Sequence, residues 1–480
     1  MSNFLGEVFS TKSVPKDPIW PETIKSYALK LRSGDITAVS ATLSYLERIK
    51  AYNSKLKAFV YVAREQALAD AAEIDRLLAN GKDLGPLMGV PVSVKELLKV
   101  EDMPVGAGSL IKQSEFDFSE KIGKEGSFVQ KLKKAGCIIL GTTRSTEFAF
   151  STFNFFDHQP WNPCDTKIHR VTGGSSQGAA SAQAAGLCAL SIGTDTGGSV
   201  RVPAALCGLF GYLPSHDLFA LDGMFSLLPV SDTIGILANS AIDTQLALLA
   251  LENHQPLSTL SLESLTFGKP VNHFYDSLDE DVNKLVESAI KGLAKVGTNF
   301  TDVVVPDSQD KKQFFSQVNG QYGKLYLAHL KALFGEEKLT QLLPLMDENT
   351  RLGLEPIDDL SAAEYINLQE DLQTLRHQAQ SNFTNCDAWL VPSLPITAAP
   401  LADIDTYTKA SELQLRAAKN MSMVNKLGLI AVTIPIPRID GGLPVGLQLI
   451  MPKGQDQKLL ATACLIEKEI GLLSRVEFST

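Results

Sequence analysis

Two glycine-flanked serine turns lie 24 residues apart in this chain: GGSSQG, carrying Ser175 and Ser176, and DTGGSV, carrying Ser199. A serine hydroxyl becomes a useful nucleophile only when a base takes its proton. Histidine is the usual base, yet none stands between the two turns, and His158, His169 and His216 sit in unpatterned segments. Lys95 is the better candidate. It follows VPVSV, an apolar run that reads as a buried strand, and desolvation at such a place lowers an amine's pKa until the neutral base exists near neutral pH. Gly197 and Gly198, just ahead of Ser199, leave room for successive backbone N–H groups to converge on one point. That arrangement stabilises the tetrahedral intermediate of acyl transfer, by about 3 to 4 kcal/mol per donor in known cases. Each piece also has an ordinary reading: Gly-Gly-Ser after a strand is commonly a plain turn, and Lys95 alone is the charged end of a strand. Residues 174–178 spell G-x-S-x-G with Ser176 at the centre, the pattern of an α/β-hydrolase esterase. That reading needs a strong apolar strand just before the serine, and TKIHRVT is a poor one.

Elements must bring these distant turns together. LMGVPVSVKELL reads as a strand bounded by Gly89 and Pro91, and GSFVQKLKKAGCIILGTTR as a helix followed by a strand over 137–140. Between the turns, a helix of small residues near 179–185 stops at Gly186 and gives way to a strand over 187–192. Residues 21–80 carry three helical runs, one of them AREQALADAAEIDRLLANG, with Asn80 and Gly81 in the C-cap place. Helices alternating with short apolar strands predict an α/β layer architecture around a mixed, largely parallel sheet. From 252 to 385 longer amphipathic helices, such as DEDVNKLVESAIKGLAKVG and SAAEYINLQEDLQTLRHQ, predict a helical cap that shapes a pocket; DAWLVPSLP, LIAVTIPIP, LPVGLQLIM and KLLATACLIEKEIG then complete the core. The expected organisation is an arm over 1–21, a core over 22–251, the cap over 252–385 and the core's completion over 386–480. Pocket residues are expected from the cap and from the loops near Phe150 to Phe156.

Composition narrows the function classes. With 44% hydrophobic and 20% charged residues the chain is an ordinary globular protein and not a disordered one. Its net charge of −10 and lack of any basic run argue against direct nucleic-acid binding. The N-terminal MSNFLGEVFSTKSVPKDPIW has neither a signal-peptide pattern nor a long apolar run, so no export and no membrane insertion is signalled, and the cytoplasm is expected. Six cysteines, Cys137, Cys164, Cys188, Cys207, Cys386 and Cys464, form no C-x-x-C pair, which favours reduced thiols over disulfides or a zinc site.

Together, GVPVSVKELLKVEDMPVGAGS, VTGGSSQGAA and GTDTGGSVRVPAALCGLFG resemble the amidase signature family in order and in serine spacing. TRSTEFAF, SLLPVSDTIGILANS, LVPSLPITAAP and GGLPVGLQLIMP extend the likeness over roughly residues 22–475. The resemblance implies an α/β/α fold with a twisted mixed sheet and a Ser–cis-Ser–Lys triad. By position Ser199 would be the acyl-forming nucleophile, Ser175, after a cis peptide from Gly174, the bridging serine, and Lys95 the base. An oxyanion hole would come from the N–H groups of Thr196, Gly197, Gly198 and Ser199, with Ser176 and Thr194 supporting the network. Asp195 and Arg201 would pair to brace the loop, a contact of little value if exposed. Gly173, Gly174 and Gln177 are expected beside the substrate. Gln177 stands where the family usually has Gly or Ser, and Glu96 where it often has Asp. Neither metal nor organic cofactor is required.

The implied reaction is hydrolysis of a small-molecule carboxamide to a carboxylate and ammonia or an amine, through an acyl-enzyme. Within the same resemblance stand a glutaminase-type amidotransferase subunit, which would need partner subunits, and an allophanate-like ureido-acid hydrolase. From other classes come a non-catalytic binding subunit, against which the filled triad positions argue, and the Ser176 esterase. The expected partner is the small amide alone, without nucleic acid or membrane, and a homodimer is the default assembly.

Overall fold

Strands made mostly of apolar and small residues belong where both faces of a sheet are covered, and such strands build the centre of this protein. The computed structural model describes residues 14–154, 159–257, 260–305, 312–438 and 440–475. Its strands are β1 (Phe59–Val62), β2 (Pro91–Lys95), β3 (Ile138–Thr143), β4 (Leu190–Asp195), β5 (Phe210–Leu213), β6 (Thr233–Ala238), β7 (Thr266–Pro270), β8 (Asn299–Val303), β9 (Ala388–Pro392), β10 (Ile430–Ile436) and β11 (Val445–Met451). They form one sheet in the order β1-β3-β2-β4-β6-β5-β10-β11-β9-β7-β8. From β2 to β6, and from β9 to β11, every strand is buried along its whole length.

The sheet is mixed, as expected, but its largely parallel character is confined to the flanks. β3, β2 and β4 run parallel on one side and β9, β7 and β8 on the other, while every pairing from β4 across to β9, and β1 with β3, is antiparallel. Parallel neighbours need a crossover of a dozen or more residues, and the short link 437–444 between β10 and β11 is too brief for one.

Helices cover the faces: α1 (Ile24–Ser33), α2 (Ala38–Leu56), α3 (Arg64–Ala79), α4 (Phe118–Ile122), α5 (Ser127–Lys134), α6 (Gln177–Ala184), α7 (Arg201–Cys207), α8 (Ala241–Glu252), α9 (Glu280–Lys295), α10 (Lys312–Phe334), α11 (Glu336–Leu342), α12 (Glu348–Leu354), α13 (Ala362–Ser381), α14 (Tyr407–Lys426) and α15 (Asp456–Ile470). The three runs expected before residue 80 are α1 to α3, with the unpredicted β1 among them; FVYV is short, and its Val60 and Tyr61 face solvent. α6 is buried at every position. Its small residues permit that approach, and a side chain at Gly178 would strike the Ala58 carbonyl oxygen and the Arg144 amide. The strand after α6 starts later than 187, because the Leu187 N–H closes the helix on the Ala182 carbonyl (2.8 Å), beside Gly186 at φ 67°.

The segment 252–385 is not wholly a helical cap. It supplies β7 and β8 to one end of the sheet, where TFGKP and NFTDV carry little of the buried alternation that would have marked them. α9 to α13 are its helices, α9 being the expected DEDVNKLVESAIKGLAKVG helix. Of the expected arm, residues 1–13 lie outside the described residues. Among the described residues no helix is long and apolar enough to cross a membrane.

Candidate active site

Parallel pairing of β2 with β4, Val94 opposite Ile192, sets the end of one strand beside the end of the other. Lys95, the last residue of β2 and fully buried, donates from Nζ to Ser175 Oγ (2.7 Å) and to Thr194 Oγ1 (2.8 Å). Burial pushes its amine down to about 7, against the opposing pull of Asp195, Asp232 and Glu96. The Gly174–Ser175 peptide is cis. Ser176 donates its N–H to the Ser199 carbonyl (3.1 Å), which makes the two serine turns neighbours in space.

Ser176 itself is committed elsewhere. Its Oγ bridges the Thr194 N–H and carbonyl, both at 3.3 Å, and the residue is fully buried. No strand leads into it among the described residues, only an isolated bridge from Arg170 to Pro400. A nucleophile elbow needs an exposed hydroxyl at the end of a strand, so the esterase arrangement is not present.

The turn after β4 is held by a buried ionic knot. Asp195 Oδ2 accepts from Arg201 Nε (3.0 Å), and Oδ1 from Arg201 Nη2 (3.1 Å), Asn425 Nδ2 (3.0 Å) and the Gly198 N–H (2.7 Å). Arg201 also donates to Gln448 Oε1 (2.7 Å) and Asn425 Oδ1 (2.5 Å). Burial by itself would raise the Asp195 carboxyl, but Arg201, Asn425 and the Gly198 N–H hold it below the usual carboxylate range. The pair was expected to add little if exposed; both side chains are instead wholly inaccessible, where losing one partner strands a buried charge.

This knot corrects the four-donor oxyanion hole. The Gly198 N–H is directed at Asp195 because the carboxylate sits inside the turn. For the N–H groups of Thr196, Gly197 and Ser199 the structure assigns no acceptor among the described residues. β6 and the loop before it pin the same turn from the other side: Thr196 Oγ1 donates to Asp232 (2.5 Å), Ser231 Oγ to the Thr196 carbonyl (2.9 Å) and Thr233 Oγ1 to the Asp195 carbonyl (2.8 Å). Sequence reading placed this Ser-Asp-Thr run in the family-like segment SLLPVSDTIGILANS but gave it no role, although its polar residues stand at the start of a buried strand.

A cavity of about 330 Å³ opens beside Ser199, with Gly174, Thr196, Gly197 and Gly198 in its wall. Phe150 lines it, as expected, with Ser151 and Thr152; Phe155 and Phe156 lie outside the described residues. The helical segment supplies Tyr322, Tyr326 and Ile357, as expected, and α14 supplies Gln414, Ser422 and Lys426, which were not foreseen. No signal in a polar helix marks which residues will face a cavity.

Gly173 and Gln177, expected beside the substrate, are absent from the cavity wall. Gln177 opens α6 facing inward and donates from Nε2 to the Ser145 carbonyl (3.1 Å), while Gly173 packs on Val202 and Leu206. Glu96 accepts the Ser145 N–H (2.8 Å), a structural role. Glu147 accepts from Ser109 Oγ (2.6 Å) and from the Asp347 N–H (2.8 Å) just before α12, and burial pushes its carboxyl up to about 7. Among the described residues no cluster of His, Cys, Asp and Glu is arranged to hold a metal ion.

Comparison with known proteins gives a consistent result. The sequence profile of the family described as Amidase matches residues 40–460. A 2-amino-5-chloromuconic acid deaminase of Comamonas testosteroni is 32% identical over 458 residues, covering 94% of this chain and 96% of that protein. A glutamyl-tRNA(Gln) amidotransferase subunit of Natranaerobius thermophilus is 30% identical, covering 91% and 93%. Among solved structures, an amidase superposes with a TM-score of 0.81 at 26% identity over 94% of this chain and 100% of its own. The peptide amidase of Stenotrophomonas maltophilia, at 24% identity and a TM-score of 0.79 over 96% and 100%, shares the fold.

Proposed function

Since the chain belongs to the amidase family and is an enzyme acting on carbon–nitrogen bonds, we propose that it hydrolyses a small-molecule carboxamide through an acyl-enzyme on Ser199. Ser199 Oγ attacks the amide carbon while Ser175 takes its proton and hands one to the neutral amine of Lys95. The oxyanion forms against the free N–H groups of the turn, those of Thr196, Gly197 and Ser199. Ser175 then protonates the departing nitrogen, and the C–N bond breaks to leave an ester on Ser199. Water, relieved of its proton by the same relay, cleaves that ester and releases the carboxylate.

The observation that carries this reading is the 2.7 Å contact between Lys95 and Ser175 in an interior that lowers the amine to about 7. A lysine at its ordinary pKa would be a poor base at neutral pH. The cavity of about 330 Å³, at the small end of ligand pockets, supports a small substrate. All six cysteines are free thiols, which fits the reducing cytoplasm in which we place the enzyme.

Ser199→Ala tests the assignment. Ammonia release from a panel of amides and ureido acids should fall about a thousandfold or more with the circular dichroism spectrum unchanged, and fluorophosphonate labelling of Ser199 in the wild type should be lost. Amide hydrolysis retained in that variant would reject the mechanism. A second reading, as one component of an amidotransferase, is favoured by the likeness to the glutamyl-tRNA(Gln) amidotransferase chain; glutamine in the same panel separates the two.

A further inference from the structure

The cavity beside Ser199 contains one ionic side chain: among the described residues that line it, Lys426 is the only Lys, Arg, Asp or Glu. The other described residues of the wall are apolar or neutral. Lys426 is the last residue of α14 and only 5% exposed. Its carbonyl accepts from Arg376 Nε (3.2 Å), and its Nζ stands 5.7 Å from the centre of the Tyr322 ring, so both ends of the residue are positioned. Burial pushes the amine down to about 8. An anion entering the same space would favour the charged ammonium and gain a charge-assisted hydrogen bond in low dielectric.

We propose that the substrate is an amide acid, with its carboxamide at Ser199 and a carboxylate held by Lys426. The proposal rests on the amidase reading of the site and adds the substrate's charge. Because the described wall supplies no carboxylate to receive an α-ammonium group, amide acids without an amino group fit it better than glutamine does.

Monoamides of dicarboxylic acids from succinic to adipic, each paired with the neutral amide of equal chain length, give the test. In the wild type kcat/KM should favour at least one acid amide over its neutral partner by about tenfold to a hundredfold, with glutamine poorer than that acid amide. In K426M that preference should collapse towards unity, and K426R should recover part of it. A wild type that cleaves neutral amides as well as every acid amide, or a preference that survives K426M, overturns the proposal and leaves the amidase reading intact. If the wild type cleaves neither kind, the amidase reading fails, and calorimetric titration with the dicarboxylates themselves decides. Saturable binding to the wild type that is lost in K426M upholds the anion site, and absence of binding to the wild type refutes it.

Discussion

Lys95 can accept a proton only while its amine is uncharged, and burial sets that condition at about 7. The acidic limb of kcat/KM against pH should therefore fall near 7: activity rises as pH increases through that value and levels off above it. Lys95→Arg, which keeps the charge but cannot lose it, should be inactive at every pH up to 9 or so. A wild-type profile flat from pH 5 to 9 would exclude Lys95 as the titrating base. Arg201 belongs to the same scale but to stability. Removing it leaves Asp195 buried without its countercharge, so Arg201→Met should lose about 3 to 5 kcal/mol in urea unfolding, and adding Asp195→Asn should restore part of the loss. A cost under about 1 kcal/mol would mean that Asn425 and the backbone alone satisfy the carboxylate. The sequence named both members of this pair, but it offered no sign that Asn425 and Gln448, more than two hundred residues onward, would close around them.

The turn after β4 shows how an element converts residue types into geometry. Gly198 has φ 117°, and a methyl group there would run into Met421; Gly197 has no positive φ, and the nearest atom to its missing side chain is Ser422 Cβ at 3.7 Å. The two glycines should therefore separate in assay. Gly198→Ala is expected to lower stability by about 1 to 3 kcal/mol and to cut kcat, since it shifts the turn itself. Gly197→Ala should keep the melting temperature and raise KM, because its methyl group enters the cavity. Equal effects in both would show that the turn is more plastic than its packing suggests. Elements of this kind were legible. The GG turn, the helix stop at Gly186 and the buried strand ending at Lys95 each depend on a few consecutive residues, and they fell close to their expected places. The strands β7 and β8 at one end of the sheet were not, because five-residue strands with irregular burial lack a period long enough to register.

At the scale of the molecule, the sheet and the helices over the cavity meet through Glu147, whose carboxyl joins the loop after β3 to the start of α12. Burial raises it to about 7 from an ordinary 4.5, so the folded state holds the proton more tightly than the unfolded chain does. Its contribution to stability is accordingly full below about 4.5 and is lost as pH rises through about 7. Glu147→Gln, a neutral isostere, should gain in melting temperature relative to the wild type between pH 5 and pH 8; a difference independent of pH would place the carboxyl outside that range. The amino-acid order by itself determined the serine and lysine positions, the glycine turns between them and the alternation of helices with buried strands, since all of these follow from backbone preferences and hydrophobic periods a few residues long. Only the tertiary structure decided that the middle of the sheet runs antiparallel, that the Gly198 N–H faces Asp195 instead of the cavity, and that α14 turns Lys426 towards Ser199's pocket. Those outcomes depend on which segments, hundreds of residues apart, pack against each other, and a local window of sequence holds no record of that.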